Sequence, residues 1–266
     1  MSDSINPQDE KNPSILTRTW RYIPFKKYDS YLKIALNEVA LASVNTSGTP
    51  IVWLAGYEKN CISIGQQQHL AEVVNLSEAK RRDIVLVRRQ TRGGALYLDK
   101  DGELSWAIIL PNELLPKDAP DIPKFFAQRL SQALENLGIE SYFKSPDDVM
   151  TTLGKISNME IRRERYATYA GGTLIFTVNV EAVRTLLKPE NDSTKEKHKS
   201  PEKFRPLTAI SMETEHTKEE TLQAVAEEFL NGITFKVDSW SSQELSDAQM
   251  LAQKYAGKEW LYQDNK

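Results

Sequence analysis

The sequence predicts an α+β domain in which a mixed β-sheet is covered by helices on one side. Three observations carry this. Short β-branched runs bounded by turn residues recur through the first two thirds of the chain, four stretches place apolar residues near helical spacing, and no internal repeat interrupts them. At 266 residues the chain is long enough for one sizeable core with a small appendage.

The elements follow in order. Residues 1–14 are polar without an apolar period and are expected to be a disordered tail, so the folded domain is expected to span 15–238. Tyr31, Ile34, Ala35, Val39 and Ala42 lie near helical spacing and predict a helix over 28–42. The runs 50–54 and 61–64 read as a hairpin, 84–87 as a further strand, and 104–110 as a strand that stops at Pro111. Phe125, Phe126, Leu130, Leu134 and Leu137 form one stripe and predict a helix over 122–137 that packs on the sheet. Residues 149–156 and 165–176 read as an antiparallel pair. The stretch 188–203 is densely charged with almost no apolar side chains and reads as a mobile loop, a lid that would order over a bound intermediate. Leu222, Val225, Ala226 and Phe229 place a helix over 218–230, and Leu245, Met250, Leu251 and Tyr255 make 239–266 a helical appendage.

Composition narrows the function. Lys and Arg total 34 against 37 Asp and Glu, and a net charge of -3 argues against nucleic acid as the main partner. No run approaches the roughly 18 apolar residues of a membrane span. One cysteine, Cys61, and no signal segment lead us to expect a cytoplasmic protein without a disulfide framework. Cys61 sits in an apolar run and reads as a buried structural thiol, while His69, His198 and His216 have no metal-ligand spacing.

The segment Arg88-Arg89-Gln90-Thr91-Arg92-Gly93-Gly94-Ala95-Leu96-Tyr97 follows a strand directly. Paired glycines let backbone N–H groups approach a ligand, and arginines supply charge for phosphate or carboxylate recognition. A hairpin turn with solvated arginines explains the same residues, and spacing alone does not choose.

These residues resemble the arginine-glycine segment of the lipoate-protein ligase A family, within the superfamily of biotin and lipoate ligases and octanoyltransferases. Arg88 and Arg89 match its arginine pair, Gly93 and Gly94 its last two glycines and Asp99 its aspartate; Arg92 replaces the first glycine and Leu98 a histidine. The Arg-Gly-Gly order is closer to the octanoyltransferases. Asp147-Asp148-Val149 and Gly154-Lys155-Ile156 resemble the family's Asn-Asp-Val strand and lysine turn. Gly171-Gly172-Thr173-Leu174-Ile175 is similar to its His-Gly-Thr-Leu-Leu strand, with Gly171 for the histidine, and Trp260 to the tryptophan that closes its catalytic domain.

The resemblance implies a biotin/lipoate ligase-like catalytic domain that activates lipoate or octanoate with ATP as the adenylate and passes it to a lysine of an acceptor protein. It implies that Lys155 is catalytic, because a placed ammonium offsets the negative charge built in the transition state. It also implies that Arg88, Arg89, Arg92, Gly93, Gly94, Ala95, Leu96, Tyr97, Asp147, Asp148, Gly172 and Thr173 bind substrate or ATP, with Asp148 holding Mg²⁺. An exposed lysine in a turn and a solvated Asp-Asp strand edge remain the plain alternatives, and Lys155→Ala is expected to spare the fold. Gln68 occupies a ligand-lining position of the ligases, although a polar loop accounts for it equally.

Two rivals stand beside this reading: an octanoyl or lipoyl transferase that needs no ATP, and a catalytically silent homologue that binds lipoylated protein. Some relatives carry the acyl group on a cysteine just before the Asp-Val strand, and residues 142–145 contain none. The implied partners are a lipoyl-acceptor domain and a separate accessory-domain protein.

Overall fold

The computed structural model describes residues 18–188 and 206–263. The expected tail and, from residue 189 on, the expected mobile loop lie outside the described residues. In chain order the elements are β1 (Trp20–Tyr28), α1 (Ser30–Ser47), β2 (Ile51–Tyr57), β3 (Cys61–Ile64), α2 (Leu70–Val73), α3 (Leu76–Arg81), β4 (Val85–Arg88), β5 (Leu96–Leu98) and β6 (Glu103–Pro111). There follow α4 (Asp121–Glu135), β7 (Tyr142–Lys144), β8 (Asp148–Met150), β9 (Lys155–Arg163), β10 (Ala167–Ile175), α5 (Val180–Leu186), α6 (Ile210–Glu213), α7 (Lys218–Phe229), β11 (Phe235–Val237), α8 (Ser242–Ala256) and α9 (Lys258–Leu261).

Eight strands form a mixed sheet in the order β11-β1-β2-β6-β10-β9-β8-β7, and β4-β3-β5 form a second, smaller sheet. The first pairings, β1 with β11 and with β2, are parallel, and the rest of the large sheet is antiparallel. The predicted hairpin over 50–64 is therefore corrected: β2 is already bonded on both edges, so the chain leaves the sheet after Tyr57 and β3 founds another. The single strand expected over 149–156 is likewise two, because Thr151 N–H donates to Gly154 O at 2.8 Å and folds the chain back.

Helices cover both faces of the large sheet rather than one. Val52, Leu54, Trp106, Ile108 and Leu110 point into a core shared with Phe126, Leu130 and Leu134 of α4 and Val225 and Phe229 of α7. The alternate residues Ile51, Trp53, Ala55, Ala107 and Ile109 pack with α1 and α8. Strands buried on both faces read as continuous apolar runs, so their sequence does not report a second layer. Each fully buried Leu or Phe in these cores is worth about 1.5–3 kcal/mol in transfer free energy.

Helix ends follow local chemistry. Asp29 caps α1 by accepting from Tyr31 and Leu32 N–H, and Gly48 ends it at φ 68°, a left-handed value that suits glycine. Thr217 with Glu220, and Ser241 with Glu244, close capping boxes on α7 and α8. The helical segment expected from residue 239 packs on α1 and β2: the Tyr255 hydroxyl donates to Glu38 of α1, and Trp240 meets Trp53 of β2 edge-on with ring centroids 5.0 Å apart. Among the described residues no helix is long and apolar enough to cross a membrane.

Candidate active site

Strand register assembles the floor of the site. Ser105 on β6 lies opposite Thr173 on β10, Thr173 opposite Asn158 on β9, and Asn158 opposite Asp148 on β8. Directly paired residues share a sheet face, so four polar side chains form one row across an otherwise apolar sheet. The Thr173 hydroxyl donates to Asn158 Oδ1, and the Ser105 hydroxyl donates to Glu103 Oε1 at 2.5 Å. Gly172 makes the row possible: a Cβ there would stand 1.9 Å from Asn158 O, so only glycine lets β9 and β10 run this close.

The row ends on an ion pair. Lys155 Nζ lies 2.6 Å from Asp148 Oδ1, with the Asp148 side chain 1 % and the Lys155 side chain 18 % exposed. The lysine backbone is clamped as well: its N–H donates to Pro206 O at 2.9 Å and its carbonyl accepts from Thr208 N–H at 3.0 Å. Gly154 precedes it because a Cβ would stand 2.6 Å from Pro206 O. Lys155 thus presents a fixed ammonium to a pocket of about 90 Å³ whose walls include Leu96, Leu98, Ile175, Val183 and Leu207. An oriented cation at an apolar pocket is suited to bind a carbonyl oxygen as it gains negative charge.

The arginine-glycine segment is placed differently. Arg88, 1 % exposed, donates from its guanidinium to the carbonyls of Gly65, Gln66 and Gln68 and to those of Trp260 and Leu261. Arg89 donates to Ser63, Arg92 and Gly94 carbonyls and lies 2.9 Å from Glu160 Oε2. Both arginines therefore hold the loop's shape. Gly93 rests against Gly65, where a Cβ would stand 2.1 Å from Gly93 O. Arg92, Gly93 and Gly94 face solvent, and Ala95 is half-buried.

Of the sequence-derived candidates, Leu96, Tyr97, Lys155 and Thr173 line the pocket. Asp148 stands beneath it as the lysine's partner, and Asp147 is half-buried and spends its carbonyl on Met159 N–H at 2.7 Å. One oxygen of Asp148, Oδ1, is held by the Lys155 ammonium. Among the described residues no group of three His, Cys, Asp or Glu side chains could hold a metal.

Sequence reasoning passed over Glu103, Asn158, Val183 and Leu207. Asn158 lies three residues past Lys155, and Glu103 is the one acid of β6, directly before the predicted strand 104–110. Val183 and Leu207 come from segments that only tertiary structure brings near. Cys61 is fully buried, and burial pushes its thiol well up from its ordinary value, as expected of a structural thiol.

The chain is similar to known proteins of one family. The model of the lipoyl protein ligase A/B catalytic domain matches residues 29–234. Octanoyltransferase LipM of Staphylococcus epidermidis is 23% identical over 276 residues, covering 93% of this chain and 99% of its own. Lipoate-protein ligase LplJ of Bacillus subtilis is 29% identical over 136 residues, 51% of this chain and 40% of its own. Among solved structures, a bi-partite lipoate protein ligase from Thermoplasma acidophilum superposes with a TM-score of 0.80 at 20% identity, covering 94% of this chain and 98% of that one.

Proposed function

Because the chain belongs to the lipoyl protein ligase A/B catalytic-domain family, we propose that it is an acyltransferase that moves an octanoyl or lipoyl group from a thioester donor to a lysine of an acceptor domain without ATP. The observation that carries this is the Lys155 ammonium, fixed by buried Asp148 at the floor of a small apolar pocket. One oriented cation is what a thioester carbonyl requires when it becomes an oxyanion. A nucleoside triphosphate asks for more charge, and the guanidinium groups of Arg88 and Arg89 are engaged with backbone carbonyls and, for Arg89, with Glu160. Full-length similarity to octanoyltransferases supports the same choice.

Transfer in this reading is direct. Cys61 is buried and its thiol is held protonated, so it does not carry the acyl group. The acceptor amine attacks the thioester carbonyl, a C–N bond forms, the C–S bond breaks, and the departing thiolate takes up a proton from the amine. An ATP-dependent ligase is the second reading, favoured by the match to LplJ across half the chain. Mass spectrometry of an acceptor domain incubated with the chain separates them: acylation from an octanoyl thioester with no nucleotide is expected. Acylation and pyrophosphate release that require free acid and ATP would replace the transferase with the ligase.

A further inference from the structure

Glu103 opens β6 directly opposite Ile175, so its side chain shares the sheet face of the pocket-lining Ile175, Thr173 and Asn158, and it lines the same pocket as Lys155. It is 4 % exposed. One carboxyl oxygen accepts from Ser105, and the other, Oε2, is buried without a hydrogen-bond partner. A buried carboxyl oxygen left unpaired is costly and calls for an explanation. Burial is the main influence on its titration and pushes it up to about 7, against the opposing pull of Lys33 from α1, the Ser105 hydroxyl and Lys218 from α7. Tyr57 of β2, Cys61 of β3 and Tyr169 of β10 also face it, and burial keeps all three neutral.

We infer that Glu103 is the catalytic base that receives a proton from the acceptor lysine, across the pocket from the ammonium of Lys155. The inference rests on the transferase reading above. The acceptor arrives as a lysine ammonium, which is no nucleophile. Its proton passes to the free oxygen of Glu103, and the neutral amine attacks the thioester carbonyl while Lys155 faces the new oxyanion. Collapse breaks the C–S bond, the second amine proton goes to the thiolate, and Glu103 returns its proton to solvent. A general base of this kind works best when its own titration lies near the working pH.

The test compares wild type with Glu103→Gln and Glu103→Asp as full chains, with an octanoyl thioester as donor and two nucleophiles. Glu103→Gln is expected to slow transfer to the acceptor lysine by about 100-fold or more, the usual worth of a general base. Transfer to hydroxylamine, which is already neutral at pH 7, should fall much less than transfer to the lysine. The rise in wild-type rate through about pH 7 should vanish in this variant. Glu103→Asp withdraws the carboxyl by one methylene and should slow only lysine transfer, by roughly tenfold or more. Loss of both transfers to the same degree, or of neither, overturns the assignment. Binding of n-butylamine, followed by calorimetry, is a readout free of catalysis and should weaken at least tenfold in Glu103→Gln. Equal amine binding by wild type and Glu103→Gln overturns the assignment whatever the rates are. A wild type inactive toward the thioester, yet binding amine through Glu103, rejects the transferase reading and keeps the amine site.

Discussion

Lys155 has two duties that pull a mutation in different directions. In the proposed transfer its ammonium would meet the developing oxyanion, and as the partner of a carboxylate that is 1 % exposed it supports the fold. Removing one member of a buried pair strands the other, at a cost of about 3–5 kcal/mol. Lys155→Ala is therefore expected to lower the melting temperature as well as to cut transfer by roughly 100-fold, and the expectation that the fold is spared gives way. Pairing Lys155→Met with Asp148→Leu should restore the melting temperature without restoring activity, which thermal unfolding and the acylation assay together check. Lys155, Asp148 and Thr173 were legible because they sit in short segments of recognisable order. What Arg88 and Arg89 do was not: their acceptors are carbonyls at 63–68, 92–94 and 260–261, and a sequence does not display which carbonyls meet.

At the level of elements, the Arg21 side chain helps tie β1 to the C-terminal layer. Arg21 reaches Asp238 Oδ2 at 2.7 Å and both oxygens of Glu244 at 2.7 and 2.9 Å, locking the N-terminus of α8 against the sheet. Burial raises the Glu244 carboxyl, but the Arg21 hydrogen bond and the capping Ser241 outweigh it and bring it down to about 2. A folded-state value below the unfolded one adds stability above about 4.5 that is lost as pH falls toward 2. Arg21→Ala should then lower the melting temperature at pH 7 and blunt the loss of stability between pH 5 and 3, measured by calorimetry across that window. The helices over 218–230 and from residue 239 were legible in their apolar spacing, whereas β5, β7 and β11 were not. Three-residue strands carry too few alternations to register, and they exist because neighbours bond them.

The whole molecule closes through contacts between distant parts of the chain. Arg88 joins the 65–68 loop to α9, and the Trp260 indole N–H returns a hydrogen bond to Arg88 O at 2.8 Å. Arg88→Lys keeps the charge but loses the fork that reaches both segments, and we expect a cost of about 3 kcal/mol or more. Hydrogen exchange should then quicken together in 65–68 and 258–261, and quickening in one segment alone would show that they are not coupled. The sheet edge closes in the same way, since Trp20 pairs with Phe235 and β1 lies between β2 and β11. During synthesis at about 5–20 residues per second, β1 would wait on the order of 10–40 s after emerging for β11 to follow. Until then its outer edge stays open to pairing with another nascent chain, so slower translation between the two strands should lower the yield of folded enzyme, while a chaperone that shields the edge should raise it.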